Sequence, residues 1–171
     1  MGIHLKTVED FHRTARRYCD LIESVSQHSL PKFLASVRSS LTALYGFAIV
    51  LPELESTDEE TVRDISHVEW SAICDAISEK LGRHDLYWEI FDPTVELADA
   101  PVSQTISDDL SDIWRDLKIG VDVWEFASEE MKKQIVWNWK FNFKHHWSCH
   151  LVDALRTINW LLEPHGIDTS E

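Results

Sequence analysis

Apolar residues recur every three or four positions over most of the chain, and that period predicts helices. Phe11, Ala15, Tyr18, Leu21, Ile22 and Val25 make one stripe. Thr7 and Asp10 read as its cap, which predicts a first helix over about residues 8–26. Ser29 and Pro31 open a second, with Leu34, Val37, Leu41, Leu44, Tyr45 and Ala48 on its apolar face and Pro52 beyond its end. The acid-rich start STDEE at residues 56–60 predicts a third helix running to about Leu81, with a break near Ser66 and Gly82 as C-cap. Thr105 or Ser107 caps a fourth, whose stripe is Ile106, Leu110, Ile113, Leu117, Val121 and Trp124.

Ser128, followed by two glutamates, opens a last helix that meets no breaker before Pro164. Such a helix has about 36 residues and is roughly 50 Å long. Trp137, Trp139, Phe141, Phe143, Trp147, Leu151, Leu155, Ile158, Leu161 and Leu162 surround most of its circumference, which predicts a central element. The expected architecture is all-α, a single domain over residues 1–171 with five or six helices around the long C-terminal one. Residues 83–104 carry no helical period, and LYWEIFDP within them predicts an irregular segment packed over the bundle by Tyr87, Trp88 and Phe91.

Composition agrees with long helices. Of 171 residues only 5 are Gly and 5 Pro, while 44% are hydrophobic and 8 are Trp. The net charge of −14 is concentrated between residues 53 and 125, which hold 20 of the 30 acids against 5 bases. Phosphates would be repelled there, which excludes direct nucleic-acid and anionic-membrane binding and leaves room for a basic protein partner. Three cysteines without a CxxC pair and an N-terminus without an apolar signal core point to a reducing, cytoplasmic setting. Lys6 stands where a myristoylation signal needs Ser or Thr.

The candidate chemistry lies on two polar edges. On a helical wheel His146, His150 and Asp153 fall within roughly 80° together with Asn142, beside the apolar sector of the last helix. Asp109, Asp112 and Asp116 fall within roughly 60° on the fourth helix. If those helices are antiparallel neighbours, residues at equal height have numbers summing to about 257, so the two edges lie within a turn of each other. One reading is a metal site of imidazole nitrogens and carboxylate oxygens, suited to iron, manganese or zinc and to hydrolysis or redox work. The other is a polar network in which the acids accept protons from the histidines and from Trp114, Trp139 or Trp147, with Arg115 and Arg156 balancing charge. The network without a metal is the expectation taken forward, because polar seams between helices are common and neither histidine follows a Glu three residues earlier. No phosphate loop, nucleophile elbow or pyrophosphohydrolase pattern of paired acids occurs. The leading expectation is thus a protein that acts by binding a basic, regulatory or immunity-like partner. The alternative is a metal-dependent hydrolase or oxidoreductase between the last two helices.

Four blocks, FLASVRSSLTALYGFAIVLPEL, LGRHDLYWEIFDP, SDDLSDIWRDLKIGVDVW and WNWKFNFKHHWSCHLVDALRTI, resemble in order a family of uncharacterised bacterial proteins, the domain of unknown function numbered 5063. The resemblance implies a small helical bacterial protein. It implies no activity and no catalytic residue.

Overall fold

The computed structural model describes residues 2–57, 64–90, 94 and 100–163. The elements run α1 (Gly2–Glu23), α2 (Leu30–Ala48), α3 (His67–Leu81), β1 (Leu86–Glu89), β2 (Val102–Thr105), α4 (Ile106–Val123), α5 (Glu129–Asn142) and α6 (Ser148–Leu162). A π-helical turn, Phe143–Trp147, joins α5 to α6, so the last two form one long rod. The architecture is predominantly helical, as the apolar period predicts.

The rods assemble through their stripes. Phe11, Ala15, Tyr18 and Ile22 of α1 are fully buried, as are Leu34, Val37, Leu41 and Leu44 of α2 and Ile106, Leu110, Ile113 and Leu117 of α4. Burying each of the Val, Leu, Ile and Phe side chains among them stabilises the fold by about 1.5–3 kcal/mol. Helix α4 packs against α1, α3, α5 and α6, so it runs through the middle of the contacts. The C-terminal rod packs on α2 and α4 and leaves Phe141, Val152 and Trp160 exposed.

Local signals set the helix ends. The Ser128 side chain accepts from Met131 N at 3.1 Å, and Thr105 accepts from Asp108 N. Three boundaries differ from the expectation. Helix α1 starts at Gly2, so Thr7 lies inside it rather than capping it. Helix α3 starts at His67, where Ser66 and Glu69 cap each other reciprocally. Ser56 and Thr57 instead bind the Gln134 side-chain oxygen, at 3.0 Å from Ser56 Oγ and 2.7 Å from Thr57 N. Asp58–Glu60 lie outside the described residues.

The third difference is in the segment expected to be irregular. Leu86–Glu89 pairs antiparallel with Val102–Thr105, Tyr87 opposite Gln104. The ladder places Tyr87 inward, 7% exposed, and Trp88 outward, 64% exposed, because successive strand residues face opposite ways. Phe91 lies outside the described residues. Among the described residues no helix is long and apolar enough to cross a membrane.

Candidate metal centre

Helix α4 is held at its start by a buried carboxylate. Asp85 Oδ1 accepts from Ser107 N at 2.8 Å, and its Oδ2 accepts from the hydroxyls of Ser107 and Ser78 at 2.8 and 2.7 Å. From that fixed start the spacings of three and four residues bring Asp109, Asp112 and Asp116 onto one edge. The facing rod carries the π turn, which widens the helix just where His146 leaves it. Phe143 and Trp147 of this turn sit in the core, with ring centroids 4.8 Å apart, and His146 is left on the side of α4. Single π turns inside α-helices occur often at functional sites.

The two polar edges meet. His146 Nδ1 lies 2.7 Å from Asp116 Oδ2, and His150 Nδ1 lies 2.9 Å from Asp109 Oδ1. The imidazole rings stand 4.9 Å apart at 73°. Their other nitrogens, both Nε2, turn toward one oxygen, Asp112 Oδ2, at 3.6 and 3.5 Å. Those two distances are too long for good hydrogen bonds. The ligand atoms of Asp112, His146 and His150 all lie within 4.8 Å of one another. Around an ion bound tetrahedrally by bonds of about 2.1 Å, neighbouring ligand atoms are roughly 3.4 Å apart.

A second layer orients this group. Asp112 Oδ1 accepts from Trp70 Nε1 at 2.8 Å and from Arg115 Nη2 at 2.9 Å, leaving Oδ2 for the centre. Asp109 Oδ2 accepts from the Tyr87 hydroxyl at 2.8 Å. Carboxylates bound to the Nδ1–H of histidines fix the tautomer that exposes the Nε2 lone pair, which is how metal-bound histidines are commonly held. Burial pushes the Asp109 carboxyl up to about 6, against the opposing pull of its bonds to His150 and Tyr87. Burial also raises Asp116. The bond to Asp109 raises His150. The His146 side chain is 38% exposed, so the centre opens to solvent.

Of the six residues singled out in the sequence, the structure therefore brings Asp112, His146 and His150 together as a converging set. Asp109 and Asp116 serve the far side of the imidazoles. Asp153 does not join the set: it is within electrostatic reach of Arg156 and Glu89, one turn beyond His150, and burial raises its pKa. The tryptophans expected as proton donors go elsewhere. Trp114 Nε1 binds Glu23 at 2.9 Å, Trp139 Nε1 binds the Leu117 carbonyl at 3.3 Å, and Trp147 Nε1 has no hydrogen-bond partner among the described residues. Trp70 and Tyr87, which do reach the acids, come from α3 and β1. No helical spacing links them to the two edges.

A comparison with curated proteins returned no match. Among solved structures the chain is similar to protein BF1032 from Bacteroides fragilis, at 21% identity and a TM-score of 0.81, over 97% of this chain and 96% of that one. At that identity the likeness concerns the fold. The family model of the domain of unknown function DUF5063 matches residues 3–163, and the chain belongs to that family.

Proposed function

We propose that this is a metalloprotein whose Asp112, His146 and His150 hold one first-row divalent cation, with coordination positions left for water or substrate. The observation that carries the reading is the approach of two Nε2 atoms to a single carboxylate oxygen at 3.5 and 3.6 Å, while both Nδ1 atoms are engaged by aspartates. Two imidazoles and one carboxylate suit iron(II), manganese(II) or zinc(II), and the open side suits metal-assisted chemistry on a small molecule. Binding a basic protein partner rests on net charge alone, whereas the metal reading rests on positioned atoms, so the latter ranks first.

The test is elemental analysis of protein purified without a His-tag or chelator, followed by titration of the metal-free form. One equivalent of metal is expected. At a hundred times the Kd the ion adds about 2.7 kcal/mol of stability. For a chain of this size that raises Tm by roughly 5–10 °C. Asp112→Asn and His150→Ala should abolish the rise. Less than about a tenth of an equivalent, with melting unchanged on adding iron, manganese or zinc, would overturn the reading.

A further inference from the structure

The groove that holds the candidate metal centre does not end at Asp116. On α4 the edge continues through Ile119, and on the facing rod His146 is preceded at four-residue steps by Asn142 and Asn138. Between these lies a cavity of about 290 Å³, whose walls include Arg115, Asp116, Ile119, Asn138, Trp139 and Asn142. That is close to the lower bound for small-molecule sites. Two of its wall residues touch the metal site directly, Asp116 through His146 and Arg115 through Asp112.

We infer that this cavity binds a small organic carboxylate beside the metal, an assignment that rests on the proposed metal centre. The polar side chains of the wall are two carboxylates, Asp64 and Asp116, and three that carry donors, Arg115, Asn138 and Asn142. Asn138 Oδ1 already accepts from Gln134 at 3.1 Å, which leaves its NH2 group to donate. The Asn142 side chain makes no hydrogen bond among the described residues. Arg115 binds Asp112 through Nη2 and lies 5.8 Å over the Trp70 ring, so most of its N–H groups remain available. Asp116 is engaged by His146, and the other acid of the lining, Asp64, is exposed. The three donor-bearing side chains select an acceptor-rich ligand, and a guanidinium fork matches a planar carboxylate. Ile119 and Trp139 supply apolar surface for its body.

Charge decides between a carboxylate and a phosphate. A divalent ion and Arg115 balance Asp109, Asp112 and Asp116 with the histidines neutral, and Asp64 adds one negative charge at the exposed side of the lining. One added negative charge is then better tolerated than two.

Calorimetric titration of the full chain tests this, in metal-free and zinc-loaded form, with benzoate, its uncharged isostere benzamide, and phenyl phosphate. Benzoate should bind saturably to the zinc form, at least tenfold tighter than benzamide and tighter than phenyl phosphate. Asn142→Ala and Arg115→Gln should each weaken benzoate about tenfold, with Asn142→Ala keeping the zinc stoichiometry and the wild-type circular dichroism. Zinc binding without a saturable benzoate signal refutes the cavity assignment alone. Benzoate binding by a protein that takes up no zinc refutes the metal centre and leaves the cavity standing. Equal affinity for benzamide, tighter binding of phenyl phosphate, or an Asn142→Ala variant with unchanged benzoate affinity also overturns the assignment.

Discussion

Helices α4 and α5 approach so closely at Gly120 that a methyl group does not fit. A Cβ built there lies 2.6 Å from Ile135 Cγ2 and 2.7 Å from both Cε2 and Cζ2 of Trp139. Ordinary carbon contacts are about 3.5–4.0 Å, so the helices must separate by roughly 1 Å or the ring must turn. The ring has little freedom to turn. Its Nε1 donates to the Leu117 carbonyl at 3.3 Å, and it packs against Phe11 and Trp124 with centroids 5.1 and 5.3 Å away. Overpacking of this kind costs about 1–3 kcal/mol, and contact with two buried neighbours places Gly120→Ala toward the upper end. Alanine returns about 1 kcal/mol through helix propensity. The net expectation is a loss of about 2 kcal/mol, or roughly 4–8 °C in Tm. Urea unfolding followed by tryptophan fluorescence reads this directly, and Gly46→Ala is the control. Nothing lies within 4 Å of a Cβ at Gly46, also inside a helix, so that variant should be neutral or slightly more stable. Because Asp116 is one turn from Gly120, the same separation should stretch the 2.7 Å contact to His146 and weaken metal binding about tenfold. A Gly120→Ala protein as stable as wild type, or a Gly46→Ala protein destabilised equally, would refute the packing argument.

Other predictions follow from single contacts. The buried His12 ring stacks on Trp124 at 4.7 Å, and burial first, then Arg16, lowers its pKa to about 4. A folded pKa below the unfolded value of 6.5 means that its contribution is fully present above pH 6.5 and is lost as pH falls toward 4. His12→Leu should flatten the stability–pH curve in that window by about 2 kcal/mol, allowing for solvent at the ring edge; parallel curves for the two proteins would contradict this. Lys140 Nζ donates to the carbonyls of Ala48 and Ile49, 3.0 Å each, at the end of α2. Lys140→Met strands both acceptors and should cost about 1–3 kcal/mol in urea unfolding, and a neutral result would show that water replaces the ammonium. Tyr87→Phe removes the hydroxyl bound to the buried Asp109, which should cost about 1–3 kcal/mol in the metal-free protein and raise the metal Kd about tenfold. Unchanged metal affinity would show that the strand pair does not tune the centre.

What was legible in the sequence follows from what a period can encode. The stripes of α1, α2 and α4 are read at 3.6 residues per turn, and their members are buried except Leu21 and Trp124, which are half-buried, and Tyr45, which is exposed. The two strands are four residues each and bury little, so alternation is too brief to detect, and their pairing depends on contacts remote in sequence. The π turn leaves no mark either. FKHHW contains no glycine or proline, and the bulge arises from seating Phe143 and Trp147 together in the core. Ser56 and Thr57 find a tertiary acceptor in Gln134, and the described start of α3 is set by Ser66 with Glu69, which carries the reciprocal cap.

The heights of the two polar edges explain how much of the site was legible in the sequence. Equal heights correspond to residue numbers summing to about 257. The bonded pairs, Asp116 with His146 and Asp109 with His150, lie slightly above that value. In an antiparallel pair this offset is required. Each side chain leans toward its own N-terminus, so an aspartate on α4 leans away from the α4–α5 turn and a histidine on the rod leans back toward it. They meet between their backbones. Height predicts contact, but it does not say which atom of each ring faces which oxygen. That is set by Trp70, Arg115 and Tyr87, which occupy the outer oxygens of Asp112 and Asp109. With those oxygens filled from outside, and both Nδ1 atoms engaged by aspartates, Asp112 Oδ2 and the two Nε2 atoms are left facing one another at 3.6 and 3.5 Å. With both histidines neutral, three acceptors meet there and a cation stabilises them, which is the physical ground of the proposed metal centre.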